Sequence, residues 1–338
     1  MYGLSSNRSA SISATSRLSV ASVGLFISIL LFGLAGCGQV TVNRAIMWPA
    51  EVNMAGHSRV LLHRVRGPDG DLITGRLREA LTASHFTVLD QRGVSAAVHQ
   101  EALAALNEAT PEATAPVVLT PDADITGRVV QHECYHQVVQ ETVVVNQVAN
   151  LMYADQARAT MEVSFNVIDL RTGKTIAAKS ISATVQAQSD WFTSPPRLPE
   201  QPLFSRCCGA VVEQFMRAIA PHYEDVTVTL YKIDKLPAND SGIASFQSSD
   251  YASAVSYFQS ALKEAHGLPD IKAKDLAKLQ SNLGAAYEFE RHFNEAIGCY
   301  NTAIQLDPGE QAFHQSLSRC QQRIENMKKL KQQGVTGG

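Results

Sequence analysis

The chain has 338 residues, 45% of them hydrophobic and 18% charged, and a formal net charge of −3. That balance is globular, not disordered, and it lacks the basic excess of a nucleic-acid binder, so no nucleic-acid partner is expected. The length accommodates two domains and one substantial core.

Residues 1–36 read as a secretion signal. Arg8 and Arg17 precede an apolar run from Val20 to Leu34, broken by Ser22, Gly24, Ser28 and Gly33, and no acidic residue lies ahead of it. Basic residues, a short apolar core and small residues at the cut are the three parts of a signal peptide. The core of about 15 residues is short for a membrane span, which needs roughly 20. Leu34, Ala35, Gly36 and Cys37 follow. An ordinary signal peptide with an incidental cysteine is the plain alternative. The four residues resemble the lipobox of bacterial lipoproteins. That resemblance implies that Cys37 becomes the first mature residue and carries diacylglycerol and an N-acyl chain such as palmitate. Each buried methylene contributes about 0.8 kcal/mol, and more than one chain anchors stably. Gly38 follows the cysteine where inner-membrane lipoproteins often carry Asp. The resemblance therefore implies the outer membrane, facing the periplasm.

Residues 37–44 read as a tether and 45–233 as an α/β domain. Arg59–Val65 reads as a strand and Gly67–Gly70 as a turn. Asp71–Ser84 reads as a helix with Ile73, Leu77, Ala80 and Leu81 on one face, capped by Asp69 or Asp71. His85–Leu89 is a strand, Ser95–Glu108 a second helix, and Ile125–Val130 begins another strand. Met161–Asp169 is the clearest strand: Met161, Val163, Phe165 and Val167 alternate with Glu162, Ser164 and Asn166. Leu170–Lys174 is a tight turn, in which Asp169 and Arg171 serve geometry, and Thr175–Val185 is the hairpin partner. Trp191–Pro202, with four prolines, is a loop. Leu203–Ala220 is a helix, and Val226–Ile233 a strand that closes the domain. This order predicts an α/β fold with a mixed or antiparallel sheet.

The helix over 72–81, the segment Phe86–Arg92, a helix with Glu101, the run Ala123–Val129 and the turn Asp169-x-x-Thr172-Gly173 resemble the curli assembly and transport channel (CsgG-like) family. The resemblance spans about residues 45–233. It implies a periplasmic domain that either builds a ring-shaped export channel or, as in lipoprotein activators of cell-wall synthases, works without a pore. A pore-forming member contributes two membrane hairpins with strands of about 9–11 alternating residues. The first would fall between Gln131 and Ala159. There Val138-Val139 and Val143-Val144-Val145 break the alternation, and Glu133, Glu141, Asp155 and Arg158 add charge. The second, between Ser182 and Leu203, is short and proline-rich. An extended hairpin or a partner-binding arm is the expectation.

From residue 234 to 331 the chain reads as helical. Leu283, Gly284, Tyr287, Ala296, Tyr300, Ala303 and Pro308 stand at the spacing of a tetratricopeptide repeat (TPR). An earlier copy has Gly242, Tyr251, Ala254, Phe258 and Ala261, with Ser241 and Ser245 weakening its first helix. Small residues let the two helices of each pair approach, and the aromatic residues fill the space between. Phe313–Leu330 reads as a cap helix and 332–338 as a disordered tail. Repeats of this kind bind peptides or proteins; a purely structural appendage is the alternative.

The chain has no phosphate-binding glycine loop, nucleophile elbow or His-Glu-x-x-His motif, so neither an enzyme nor a bound cofactor is expected. His132, Cys134 and His136 alternate, so one face of a strand carries all three. They are the right donors for zinc or copper, but a polar strand near a sheet edge is the competing reading, with no supporting carboxylate identifiable. Cys207 and Cys208 are adjacent on a helix and point apart. Cys299 and Cys320 are candidates either for a disulfide or for small core residues. The expectation is a lipid-anchored periplasmic scaffold that binds protein partners through its TPR surface, with a homo-oligomeric export channel as the alternative.

Overall fold

The computed structural model describes residues 38–89, 120–145 and 148–335. The signal segment with Leu34, Ala35, Gly36 and Cys37, and the helix expected over Ser95–Glu108, lie outside the described residues. In chain order the elements are β1 (Gln39–Trp48), β2 (Arg59–Leu62), α1 (Gly70–Ala83), β3 (Thr87–Leu89), β4 (Ala123–Val145), β5 (Val148–Asp169) and β6 (Thr175–Gln188). They continue with α2 (Glu200–Ile219), β7 (His222–Tyr231), α3 (Pro237–Gln247), α4 (Tyr251–Ala265), α5 (Ala273–Phe289), α6 (Phe293–Leu306) and α7 (Gln311–Gln332). The described residues form two compact units: 38–43 with Thr227–Cys320, and Arg44–Val226 with 321–335. The α/β class and the helical C-terminal region are as expected.

In the α/β unit the sheet order is β3-β2-β4-β5-β6. β3 and β4 run parallel to β2, and β4, β5 and β6 are antiparallel, so the sheet is mixed. β7 does not join it. Its partner is β1, in a separate two-stranded sheet. Residues 39–44, read as a tether, are the start of β1. The β-branched Val42 and Ile46 fall on its buried face.

Helices α1 and α2 supply the core that covers the sheet. α1 buries Ile73, Leu77 and Leu81 at four-residue spacing. α2 buries the wider stripe of Leu203, Phe204, Cys207, Cys208, Val211, Val212 and Phe215. They meet the inward row Met161, Val163, Phe165 and Val167 of β5, and Phe165 stacks on Phe215 at 4.2 Å. The expected alternation of β5 is thus observed. α2 starts three residues earlier than read. Pro202 lies in its first turn, where a missing N–H costs no hydrogen bond. Neither Asp69 nor Asp71 caps α1: Asp69 sits at φ 55 with no capping bond, because its carboxylate is engaged elsewhere. At the β5–β6 turn, Asp169 Oδ1 accepts the backbone N–H groups of Arg171 (2.8 Å) and Thr172 (3.2 Å). Burial pushes this carboxyl's pKa up, but those donors and His57 outweigh it and hold the pKa at about 2. The turn role expected for Asp169 is the observed one.

β4 and β5 form one long hairpin, paired from Ala123↔Asp169 to Val145↔Val148. β6 follows β5 only as far as Gln156↔Gln188, so the outer part continues as a two-stranded ribbon. The register slips once, between Val129↔Val163 and Gln131↔Glu162, leaving Val130 as the extra residue of a bulge, 53% exposed. Before the bulge, Ile125 and Val129 face the helices. After it, His132, Cys134 and His136 lie opposite Met161, Ala159 and Ala157 and face the same way.

In the helical unit α3 packs on α4, α4 on α5, and α5 on α6. The two pairs superimpose in sequence at a constant offset: Gly242 with Gly284, Ala254 with Ala296, Phe258 with Tyr300, Ala261 with Ala303. The turns match as well, since Ser249 (φ 66) and Arg291 (φ 70) both take the left-handed conformation. Ala254, Phe258, Ala261, Ala296, Tyr300 and Ala303 are all 0% exposed. A Cβ on Gly242 would sit 2.5 Å from the Phe258 ring, and one on Gly284 2.9 Å from the Tyr300 ring. Gly298 on α6 has nothing within 4 Å. Gly242→Ala and Gly284→Ala should therefore each destabilise by about 1–3 kcal/mol through overpacking. Gly298→Ala should stabilise by about 0.5–1 kcal/mol through helix propensity. Urea unfolding of the three variants checks both signs.

Candidate functional site

Among the described residues, two places gather polar groups with chemistry to offer. The first is inside the helical unit. Tyr287 accepts a hydrogen bond from Gln259 Nε2 at 2.6 Å, which ties the two repeats together. Tyr251 packs edge-on against Phe246, and Leu283 is buried. Pro308 lies exposed just past the end of α6. Two residues that the sequence pattern did not single out, Glu288 and Arg319, complete the interior around Tyr300. Tyr300 Oη donates to Glu288 Oε2 at 2.8 Å, and Arg319 grips the same carboxylate with Nε (3.0 Å) and Nη2 (2.8 Å). Glu288 is fully buried, and this bidentate ion pair satisfies it. Burial and the neighbouring Glu288 push the Tyr300 hydroxyl far above its ordinary pKa, so it remains a donor.

The inner side of the repeats holds a segment of the chain itself. Asn282 on α5 accepts the Tyr231 N–H on Oδ1 and donates Nδ2 to the Tyr231 carbonyl, both at 2.8 Å. Asn239 on α3 donates to the same carbonyl at 2.9 Å. Both asparagines are 0% exposed. The Tyr231 ring packs edge-on against Phe313, with Ala277 and Ala303 beside it. Beside this clamp lies a cleft of about 740 Å³, lined by Lys232, Lys235, Lys272, Lys278, Asp234 and Asp270 among others.

The second place is the inward face of β4 beyond the bulge. The histidines expected to share a site are separated. His132 Nε2 lies 2.9 Å from Asp69 Oδ2, and its ring stacks on Phe204 with centroids 3.6 Å apart. His136 turns to other partners: Nδ1 lies 2.9 Å from Asp155 Oδ2, and Nε2 lies 3.6 Å from Cys134 Sγ and 3.4 Å from Glu200 Oε1. The cluster is therefore Cys134, His136 and Glu200, not His132, Cys134 and His136. Both histidines have a supporting carboxylate, contrary to expectation. Asp155 is 4% exposed, and its Oδ2 also accepts the Leu198 N–H at 2.7 Å. Burial raises its pKa, but the Leu198 N–H and His136 outweigh burial and leave it below the ordinary value. Glu200, in the first turn of α2, also pairs with Arg197 at 2.8 Å. The Cys134 thiol is pushed up by burial and by Glu200, against the pull of Arg197.

No disulfide links the five described cysteines. Cys320 is a buried core residue beside Ala296 and Tyr300, the alternative to a bridge with Cys299. Cys207 and Cys208 are both buried and separate.

Residues 277–310 match the tetratricopeptide repeat family, the segment that carries Leu283 through Pro308. The comparison with curated proteins gives no match. Among solved structures the chain is similar to a minor lipoprotein from Acinetobacter baumannii, at 12% identity over 48% of this chain and 91% of that one, with a TM-score of 0.26. It is similar to a PelC dodecamer from Paraburkholderia phytofirmans, at 14% identity over 53% and 98%, with a TM-score of 0.25. It is also similar to lipoprotein GNA1162 from Neisseria meningitidis, at 18% identity over 47% and 97%, with a TM-score of 0.23. At these TM-scores the likeness is too slight to bear on function. No helix among the described residues is long and apolar enough to cross a membrane.

Replacing Asp155 by Ala strips His136 and the Leu198 N–H of their acceptor, and should cost about 1–3 kcal/mol at neutral pH. Because the folded carboxyl has a depressed pKa, its contribution is complete above the ordinary value of about 3.9 and is lost as pH falls through the folded one. Thermal melts of both forms at falling pH should show the gap between the two curves constant above the ordinary carboxyl value and narrowing below it.

Proposed function

We propose that the protein is a binding scaffold of the bacterial envelope, not an enzyme. In this reading Cys37 is lipidated, and the chain is held at the outer membrane facing the periplasm. Its TPR unit captures a protein partner in envelope assembly, secretion or cell-wall synthesis. The observation that carries the reading is the pair of matched helical repeats, of which 277–310 is recognisable as a TPR. The inner side of α5 is already engaged by Tyr231, so the capture surface we assign is the adjoining cleft. Its exposed Lys232, Lys235 and Lys272 suit an extended segment with acidic side chains.

A second reading, a homo-oligomeric subunit of an export channel in the CsgG-like manner, is favoured by the hairpin. Its outer ribbon exposes Val138, Val144, Val148 and Leu151. Between residues 138 and 153 Glu141 is the sole formal charge.

Cross-linking in intact envelopes followed by identification of the partner separates the readings. Exchanging Lys232, Lys235 and Lys272 for Glu should reduce capture about tenfold or more without changing the melting temperature. Ala296→Arg, which forces a charge into a fully buried site, should unfold the repeats and abolish capture. Capture that survives Ala296→Arg contradicts the scaffold reading. A cross-linked ladder made of this chain alone favours the channel.

A further inference from the structure

We propose that Cys134, His136 and Glu200 form a binding site for one zinc-class divalent cation, with Asp155 as the supporting carboxylate.

Two of the three ligand-atom separations already match the spacing such an ion needs. With bonds of about 2.3 Å to sulfur and about 2.0–2.1 Å to nitrogen and oxygen, a tetrahedral zinc site separates S from N by roughly 3.6 Å and N from O by roughly 3.3 Å. The observed separations are 3.6 Å from Cys134 Sγ to His136 Nε2 and 3.4 Å from Nε2 to Glu200 Oε1. All three ligand atoms lie within 4.8 Å of one another.

The imidazole is oriented as a metal requires. Its Nδ1 faces the Asp155 carboxylate at 2.9 Å, which directs Nε2 toward Cys134 and Glu200. Asp155 cannot easily turn away. It is 4% exposed, it accepts the Leu198 N–H, and its own backbone N–H donates to Ser189 Oγ at 2.9 Å. Such carboxylate–histidine pairs orient the ring and raise the basicity of the ligating nitrogen.

One neighbour competes. Arg197 Nη2 holds the same Glu200 oxygen at 2.8 Å, and the incoming cation replaces that guanidinium with its own charge. Three protein donors leave the fourth position to water, and the partial exposure of Glu200 gives a route in. His132 takes no part, because it is committed to Asp69 and Phe204.

The test uses the full-length protein in detergent, stripped with chelator and titrated with Co²⁺ and then Zn²⁺. One equivalent of Co²⁺ should give the intense visible bands of a tetrahedral site and a thiolate-to-cobalt charge-transfer band. One equivalent of Zn²⁺ should erase both. Cys134→Ser should remove the charge-transfer band, and Asp155→Asn should weaken zinc binding by about 10–100-fold. His132→Gln should leave binding unchanged. Circular dichroism melts show that each variant is folded before it is titrated. The proposal is overturned if the unmodified protein gives no such bands. It is equally overturned if the charge-transfer band persists in folded Cys134→Ser, which assigns the metal to another thiol such as Cys299.

Discussion

Val130 has no partner on β5. On one side of it Val129 faces Val163; on the other Gln131 faces Glu162, and the slip of one residue is absorbed there. Side chains alternate strictly along a strand, so an unabsorbed extra residue would turn everything beyond it to the opposite face. The bulge prevents that. It lets Ile125 and Val129 face the helices upstream while Cys134 and His136 do so downstream. Its position has a cause. As far as Val129, whose N–H donates to the Arg66 carbonyl at 2.8 Å, β4 is held on both edges. Beyond that point, among the described residues, only β5 pairs with it, and an edge without a second strand tolerates the distortion.

Everything polar on that face depends on this register. Met161 and Ala159 make room opposite His132 and Cys134, and α2 lies over them with Phe204 against the His132 ring. The first turn of α2 brings Glu200 to the outer end, where the loop after β6 folds back. Ser189 and Leu198 close on Asp155, and Phe192 bridges to Tyr153. The buried Asp155 carboxylate is therefore tolerable because backbone and imidazole donors surround it. In the helical unit the corresponding constraint is close approach: Gly242 and Gly284 admit the Phe258 and Tyr300 rings, and the Glu288–Arg319 pair fills what remains.

The elements legible in the sequence were those whose pattern is complete within themselves. The alternation of Met161–Val167, the spacing of Ile73, Leu77 and Leu81, the Asp169–Gly173 turn and the TPR residues each carry their own geometry. What was not legible depends on a partner chosen at a distance. The start of β1 reads as a tether because nothing near it in sequence shows that β7 will pair with it. The His132–Cys134–His136 face was legible, but its carboxylates were not: Asp69 lies before α1, Asp155 on the next strand and Glu200 on a later helix. The clamp of Asn239 and Asn282 on Tyr231 was likewise hidden, since an asparagine two or three residues before a repeat glycine carries no mark of its target. Gln333, read as part of a frayed tail, is held by two hydrogen bonds to the Ala50 backbone for the same reason.

The most direct measurement deletes Val130 and reads the strand register by oxidative cross-linking of Cys134 to a cysteine placed at residue 159. Removing the surplus residue heals the ladder and keeps every other pair, so the deletion variant should fold. Its stability should lie within about 1 kcal/mol of the parent, and the Cys134 cross-link should form as readily as before. Loss of the fold, or of the cross-link in a folded protein, would contradict the account, because the bulge would then be setting the register of β4, not absorbing an extra residue in it.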